Sequence, residues 1–164
     1  MKSPVKAPMK MKISLSKLPI VPLLGFGTLL AGCAGKADLV ACPQITAPLD
    51  TVSAYQLSDE AAALVDMRFN GVSAVCDMQD NGNIRMNVAI GMKLKRLEKS
   101  DLDDGVSINI ATAVVGADDN VVSNDRIVFQ AGLQGGTSLK YPVVDYRVTL
   151  APDQRLVLSL LPAP

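Results

Sequence analysis

The chain contains no histidine and no tryptophan, and tyrosine and phenylalanine contribute only three residues each. Without histidine, the commonest general base is missing, and so is every Ser-His or Cys-His catalytic pair. A zinc site has no imidazole to use, and Cys42 and Cys76 lack close-spaced ligand partners. A Ser-Lys pair is formally available, but no serine stands in a recognisable nucleophile motif. Gly25-Phe26-Gly27 followed by Gly32 misses the dinucleotide-binding spacing. No cofactor or metal ligand set is therefore expected. The scarcity of aromatic residues leaves Val, Ile, Leu and Met to build any core, unlike antibody domains, which pack a tryptophan on an inter-sheet disulfide.

Acidic residues are absent from positions 1–32, where Lys2, Lys6, Lys10, Lys12 and Lys17 precede an uncharged run over 18–32. A basic start, an apolar stretch and small residues before a cleavage point form a secretory signature. As a helix, the run would span roughly 22 Å, short of the ~30 Å hydrocarbon core. Pro19, Pro22, Gly25 and Gly27 further weaken the competing reading, an uncleaved membrane anchor. Met9 or Met11 would serve equally as the start, since either leaves a complete signal.

The apolar run ends in Leu30-Ala31-Gly32-Cys33, which resembles the lipobox of bacterial lipoproteins. In that family the cysteine thiol is diacylglycerylated, the chain is cut before it, and the new amino group is usually acylated. The resemblance implies that Cys33 is the first mature residue and is held to the membrane by its acyl chains. A single chain of myristoyl length binds only marginally at about 0.8 kcal/mol per buried methylene, whereas two or three make attachment effectively permanent. Ala34 follows the cysteine, the pattern that goes with outer-membrane sorting in enteric bacteria; inner-membrane retention stays open. The organisation expected is a signal peptide over 1–32, a lipid-anchored tether over 33–41 and a folded domain over 42–164.

From residue 33 onward the chain holds eleven Lys and Arg against sixteen Asp and Glu, a net charge of −5 where the whole sequence is neutral. That balance argues against nucleic acid as a partner and against broad adhesion to anionic membranes. Lys93, Lys95, Arg96 and Lys99 are a local exception. They read either as the solvated end of a strand and its turn or as a docking patch for lipid headgroups or an acidic partner. Export would place Cys42 and Cys76 in an oxidising compartment, where an even pair is expected to bridge. Two buried thiols or a redox or metal pair are the alternatives. A loop of about 35 residues would be stabilised by roughly 3.8 kcal/mol in the chain-entropy model.

Along the domain the dominant pattern is alternation. Pro43 and Pro48 suit an edge segment, and residues 51–57 a short strand. Ser58 followed by Ala61-Ala62-Ala63 suggests a short capped helix. Val65, Met67 and Phe69 alternate with polar residues until Gly71, a plausible bulge, and Asn81-Gly82 marks a hairpin turn. Ile84 to Leu94 is the cleanest strand, and Val106 to Val114 forms another. Strand character resumes over 121–131 and again from Leu139 to Leu160, broken at Ala151-Pro152-Asp153. Turn signals near every ten residues predict an all-β fold, an immunoglobulin- or fibronectin-like antiparallel β-sandwich of about seven strands, with a closed barrel as second choice. Cys42–Cys76 would then pin the lead-in segment to the first hairpin.

The acidic turns fail as calcium loops: counted from Asp101, position 5 is Gly105 and position 12 is Thr112. Turn chemistry accounts for them. Cys42-Pro43-Gln44-Ile45, then Gly71-Val72-Ser73 leading to Cys76, is similar to a group of proteobacterial envelope lipoproteins. That resemblance implies envelope location and little more. Three functions are weighed: a non-enzymatic accessory module of an envelope assembly with a protein partner, a small-ligand or glycan binding module, and a carboxylate-dependent hydrolase.

Overall fold

The computed structural model describes residues 39–162. The leader, Cys33 and the first part of the tether lie outside the described residues. Nine strands follow in order: β1 (Ile45–Thr46), β2 (Ser53–Leu57), β3 (Leu64–Met78), β4 (Ile84–Arg96), β5 (Asp104–Val115), β6 (Val121–Leu133), β7 (Leu139–Lys140), β8 (Val143–Leu150) and β9 (Arg155–Leu161). They form two packed, largely antiparallel sheets. Sheet A runs β2-β3-β4, with β7 and β8 both paired to the far side of β4. Sheet B runs β1-β9-β5-β6, with β1 parallel to β9. The protein is an all-β sandwich, as the spacing of turns predicts.

The alternating residues meet between the sheets. Met86, Ile90, Met92 and Leu94 of β4 face Val106, Ile108 and Ile110 of β5, with Leu156 and Leu158 of β9, all buried. Three fully buried methionines, Met67, Met86 and Met92, supply the adaptable bulk that aromatic rings provide elsewhere.

β3 carries a break in its alternation that the bulge resolves. Up to Phe69 its odd-numbered residues face the core; the register slips between Phe69 and Val72, and from there the even-numbered ones do. Gly71 takes φ +104 at the bulge, and a Cβ on Gly91 opposite would sit 3.1 Å from the Gly71 carbonyl oxygen. The inserted residue turns Cys76 inward; without it, this side chain would point to solvent.

Two expectations change. The segment after Ser58 is a tight loop, not a helix. The Ser58 N–H donates to the Ala63 carbonyl, and the Ser58 hydroxyl accepts from the Ala63 N–H. Asp104 takes the Glu60 and Ala61 N–H groups, and Ala62 sits at φ +48. A carboxylate distant in sequence thus outweighs local helix propensity. The final β region is also not one unit. Ala151-Pro152-Asp153 carries the chain from sheet A to sheet B, so β8 and β9 belong to opposite layers. At Asn81-Gly82 only Gly82 adopts positive φ, in a three-residue loop closed by Gly82 N–H donating to the Gln79 carbonyl.

Candidate interaction site

The lead-in segment is fixed before the first strand begins. Leu39 bridges Asp77, the Val40 N–H donates to the Cys76 carbonyl, and Cys42 is bonded to Cys76 with 5.3 Å between their α-carbons. The disulfide pins this segment to the β3–β4 hairpin. Paired backbone is already present at Leu39 and Val40, inside the stretch 33–41 expected to be a tether.

The basic cluster read from the sequence does not survive intact. Lys95 and Lys99 are exposed and Lys93 is half-buried, but Arg96 is among the most deeply buried residues. Its guanidinium donates to the carbonyls of Ser100 and Leu133, tying the loop after β4 to the end of β6. Arg96 falls on the inner side of β4 by parity, so its charge serves the fold and not a surface patch. Arg68, paired opposite Lys93 on β3, takes its place.

Acidic side chains gather where the chain turns. Asp80, Asp101, Asp118, Asp119 and Asp153 lie in connections between strands. On the outer face of sheet A, Asp66 pairs with Arg68 at 2.9 Å and Asp77 with Arg85 at 2.8 Å. Asp103 and Asp104 border a cleft of about 250 Å³ beside Lys140. Both carboxylates are engaged: Asp103 accepts from the Gly135 N–H, and Asp104 from those of Glu60, Ala61 and Gly105. The Ser58 hydroxyl first, then these backbone donors, hold the Asp104 pKa well below the ordinary carboxylate value against the opposing effect of burial. Two larger clefts of about 510 and 530 Å³ lie on the outer faces of sheets B and A.

The two lateral sides of the sandwich differ. One is blunted: β1 has two residues between Pro43 and Pro48, and β2 has five. The other side presents β8 and the thirteen-residue β6, each with a single neighbour among the described residues. The parity of β6 shows which groups are free. The Arg126 N–H is taken by the Asp125 carboxylate, and the Gly132 carbonyl receives the Lys140 ammonium. Even-numbered residues therefore direct their backbone groups away from β5, and those of Asn124, Val128 and Gln130 line the open edge. Behind that edge, Ile127 and Phe129 of β6 and Val144, Tyr146 and Val148 of β8 are only partly buried against the core. Alternation over 121–131 does not mark this strand as an edge. Its trace in the sequence is Ser123 and Asp125, polar residues at core-facing positions of a strand that overhangs its partner sheet.

No family model, curated protein or solved structure matches this chain.

Proposed function

We propose that this protein is a lipid-anchored, non-enzymatic accessory module of an envelope assembly, held by acyl chains on Cys33 at the periplasmic face of a bacterial outer membrane. It recruits one envelope protein by strand addition at β6. The free β6 edge carries this reading: a long strand with outward N–H and C=O groups is a template for pairing, and natural domains usually shorten or cover such edges. The apolar seam behind it offers side-chain pockets to the incoming strand, and the short tether keeps recruitment close to the membrane. The acids tied up in turns and arginine pairs fit a role without carboxylate catalysis.

The test is in-cell cross-linking of the lipidated protein followed by affinity capture and mass spectrometry, with two variants. Cys33→Ala removes the anchor. Val128→Pro removes an outward N–H while leaving the β5 ladder intact, because proline is tolerated on the solvent side of an edge strand. One dominant envelope complex, lost in Val128→Pro with the thermal midpoint preserved, is the expected result. A complex that survives the proline, or no specific complex at all, refutes strand addition.

A further inference from the structure

Charge is unevenly distributed over the sandwich. The outer face of sheet A carries five basic side chains (Arg68, Arg85, Lys93, Lys95 and Arg147) against three acidic ones (Asp66, Asp77 and Asp145), a net +2. From residue 33 the chain totals −5, so everything else carries −7. Asp66 and Asp77 are already held by Arg68 and Arg85, and neither Lys93 nor Lys95 forms an ion pair among the described residues.

Register places these cations in rows. Tyr55, Asp66, Lys95 and Leu139 are successive cross-strand neighbours, and Ser53, Arg68 and Lys93 form the next row. At ~4.8 Å between strands, four neighbours span roughly 14 Å. Tyr55 and Tyr141 flank the lysines with 56% of their surface exposed, and Leu57 pairs with Leu64 at the end of the face. The acids at that end, including Asp59, Glu60 and Glu98, lie in connections beyond the strands. Unpaired lysines between tyrosines on a broad sheet match the interfacial zone of a bilayer, where aromatic rings sit at headgroup depth and each basic residue adds attraction to anionic lipid.

We infer that the outer face of sheet A docks on a bilayer surface containing anionic lipid headgroups. The inference rests on the lipid anchor proposed above. A few basic residues bind weakly from solution, but on a tethered domain they act at high local concentration and set its orientation. Nine residues of β3, roughly 30 Å, separate Asp77, where the lead-in segment joins, from Arg68. A tether of six residues reaches at most about 21 Å. Anchor and cations meet one plane when sheet A lies flat, with sheet B stacked above it and the β6 edge facing sideways.

The full lipidated protein is reconstituted in vesicles of phosphatidylcholine alone or mixed with phosphatidylglycerol. Flotation reports the anchor; labelling with a water-soluble amine acetylating reagent, read by mass spectrometry, reports the face. Flotation with both compositions and about fivefold lower labelling of Lys93 and Lys95 on the anionic vesicles is expected, relieved at about 1 M salt, where the Debye length is ~3 Å. Since the chain has no tryptophan, tyrosine emission supplies a second reading: quenching by brominated lipid should require phosphatidylglycerol and vanish in Lys93→Glu/Lys95→Glu. Flotation with equal labelling in both compositions, or protection that persists at high salt, overturns the docking face while leaving the anchor standing. Failure to float with either composition removes the anchor and this inference with it.

Discussion

Cutting the covalent link at Cys42 tests how far the domain depends on its lead-in segment. Cys42 and Cys76 lie 34 residues apart, and closing such a loop restricts the unfolded chain by roughly 3.8 kcal/mol in the entropy model. The described domain of about 120 residues unfolds with an entropy near 2.1 cal/mol/K per residue. Loss of the crosslink in Cys42→Ser should therefore lower the thermal midpoint by about 15 °C. Cys42 is exposed, so serine there adds no burial cost, whereas Cys76→Ser would place a hydroxyl in the core and lower the midpoint further. Scanning calorimetry of the two variants, beside the wild type with and without reductant, separates the two contributions. Hydrogen exchange at the Val40 amide should rise in Cys42→Ser, because one backbone bond to Cys76 then holds that strand end alone. A midpoint shift below about 4 °C would refute the loop-entropy argument and show that the unfolded chain is already constrained.

Ala62 is exposed at φ +48, so Ala62→Gly should stabilise the domain by about 0.5–1 kcal/mol, read as a higher denaturant midpoint with unchanged slope. A Cβ on Gly135 would overlap the Asp101 backbone carbonyl, so Gly135→Ala should destabilise by about 2–3 kcal/mol in urea unfolding. The Asp104 carboxylate is depressed in the folded state, so its contribution is fully present above its unfolded pKa of 3.8 and is lost as pH falls through the lower folded value. Asp104→Asn should flatten the loss of stability between about pH 4 and pH 2; an unchanged acid limb would remove Asp104 from the account.

How much was legible in the sequence depended on whether local periodicity carried the information. The β4 strand, with six apolar residues at strict alternation, could be read in full, and so could the bulge at Gly71, where a glycine interrupts a phase change. The Cys42–Cys76 pairing follows from counting cysteines in a chain whose start reads as a secretory signal. Arg96 reads as surface beside Lys93 and Lys95; parity alone separates it from them, and a buried guanidinium whose terminal nitrogens donate to backbone carbonyls leaves no acidic partner to see. The loop after Ser58 was illegible because Asp104, more than forty residues away, decides its shape. The division of β8 from β9 between sheets was hidden for a related reason: a Pro-containing turn marks a break but not the layer to which the chain returns. Strand order, and with it the open β6 edge, depends on long-range pairing that periodicity does not encode.

The link between Cys42 and Cys76 also decides how the domain answers to mechanical load. On the proposed lipid anchor, a pull from the membrane would reach the paired backbone first at Leu39. Without the crosslink, that pull would bear on the short pairing of Leu39 and Val40 with β3 and then on the two-residue β1 beside β9, contacts that can be peeled one hydrogen bond at a time. With it, the load passes through a covalent bond into β3, which is paired with β4 from Val65 to Met78. Separating β3 along its length would require shearing the long β3–β4 ladder all at once. On the proposed tethering and strand addition at β6, the domain would be loaded through its longest paired strands, and its shortest pairing bypassed.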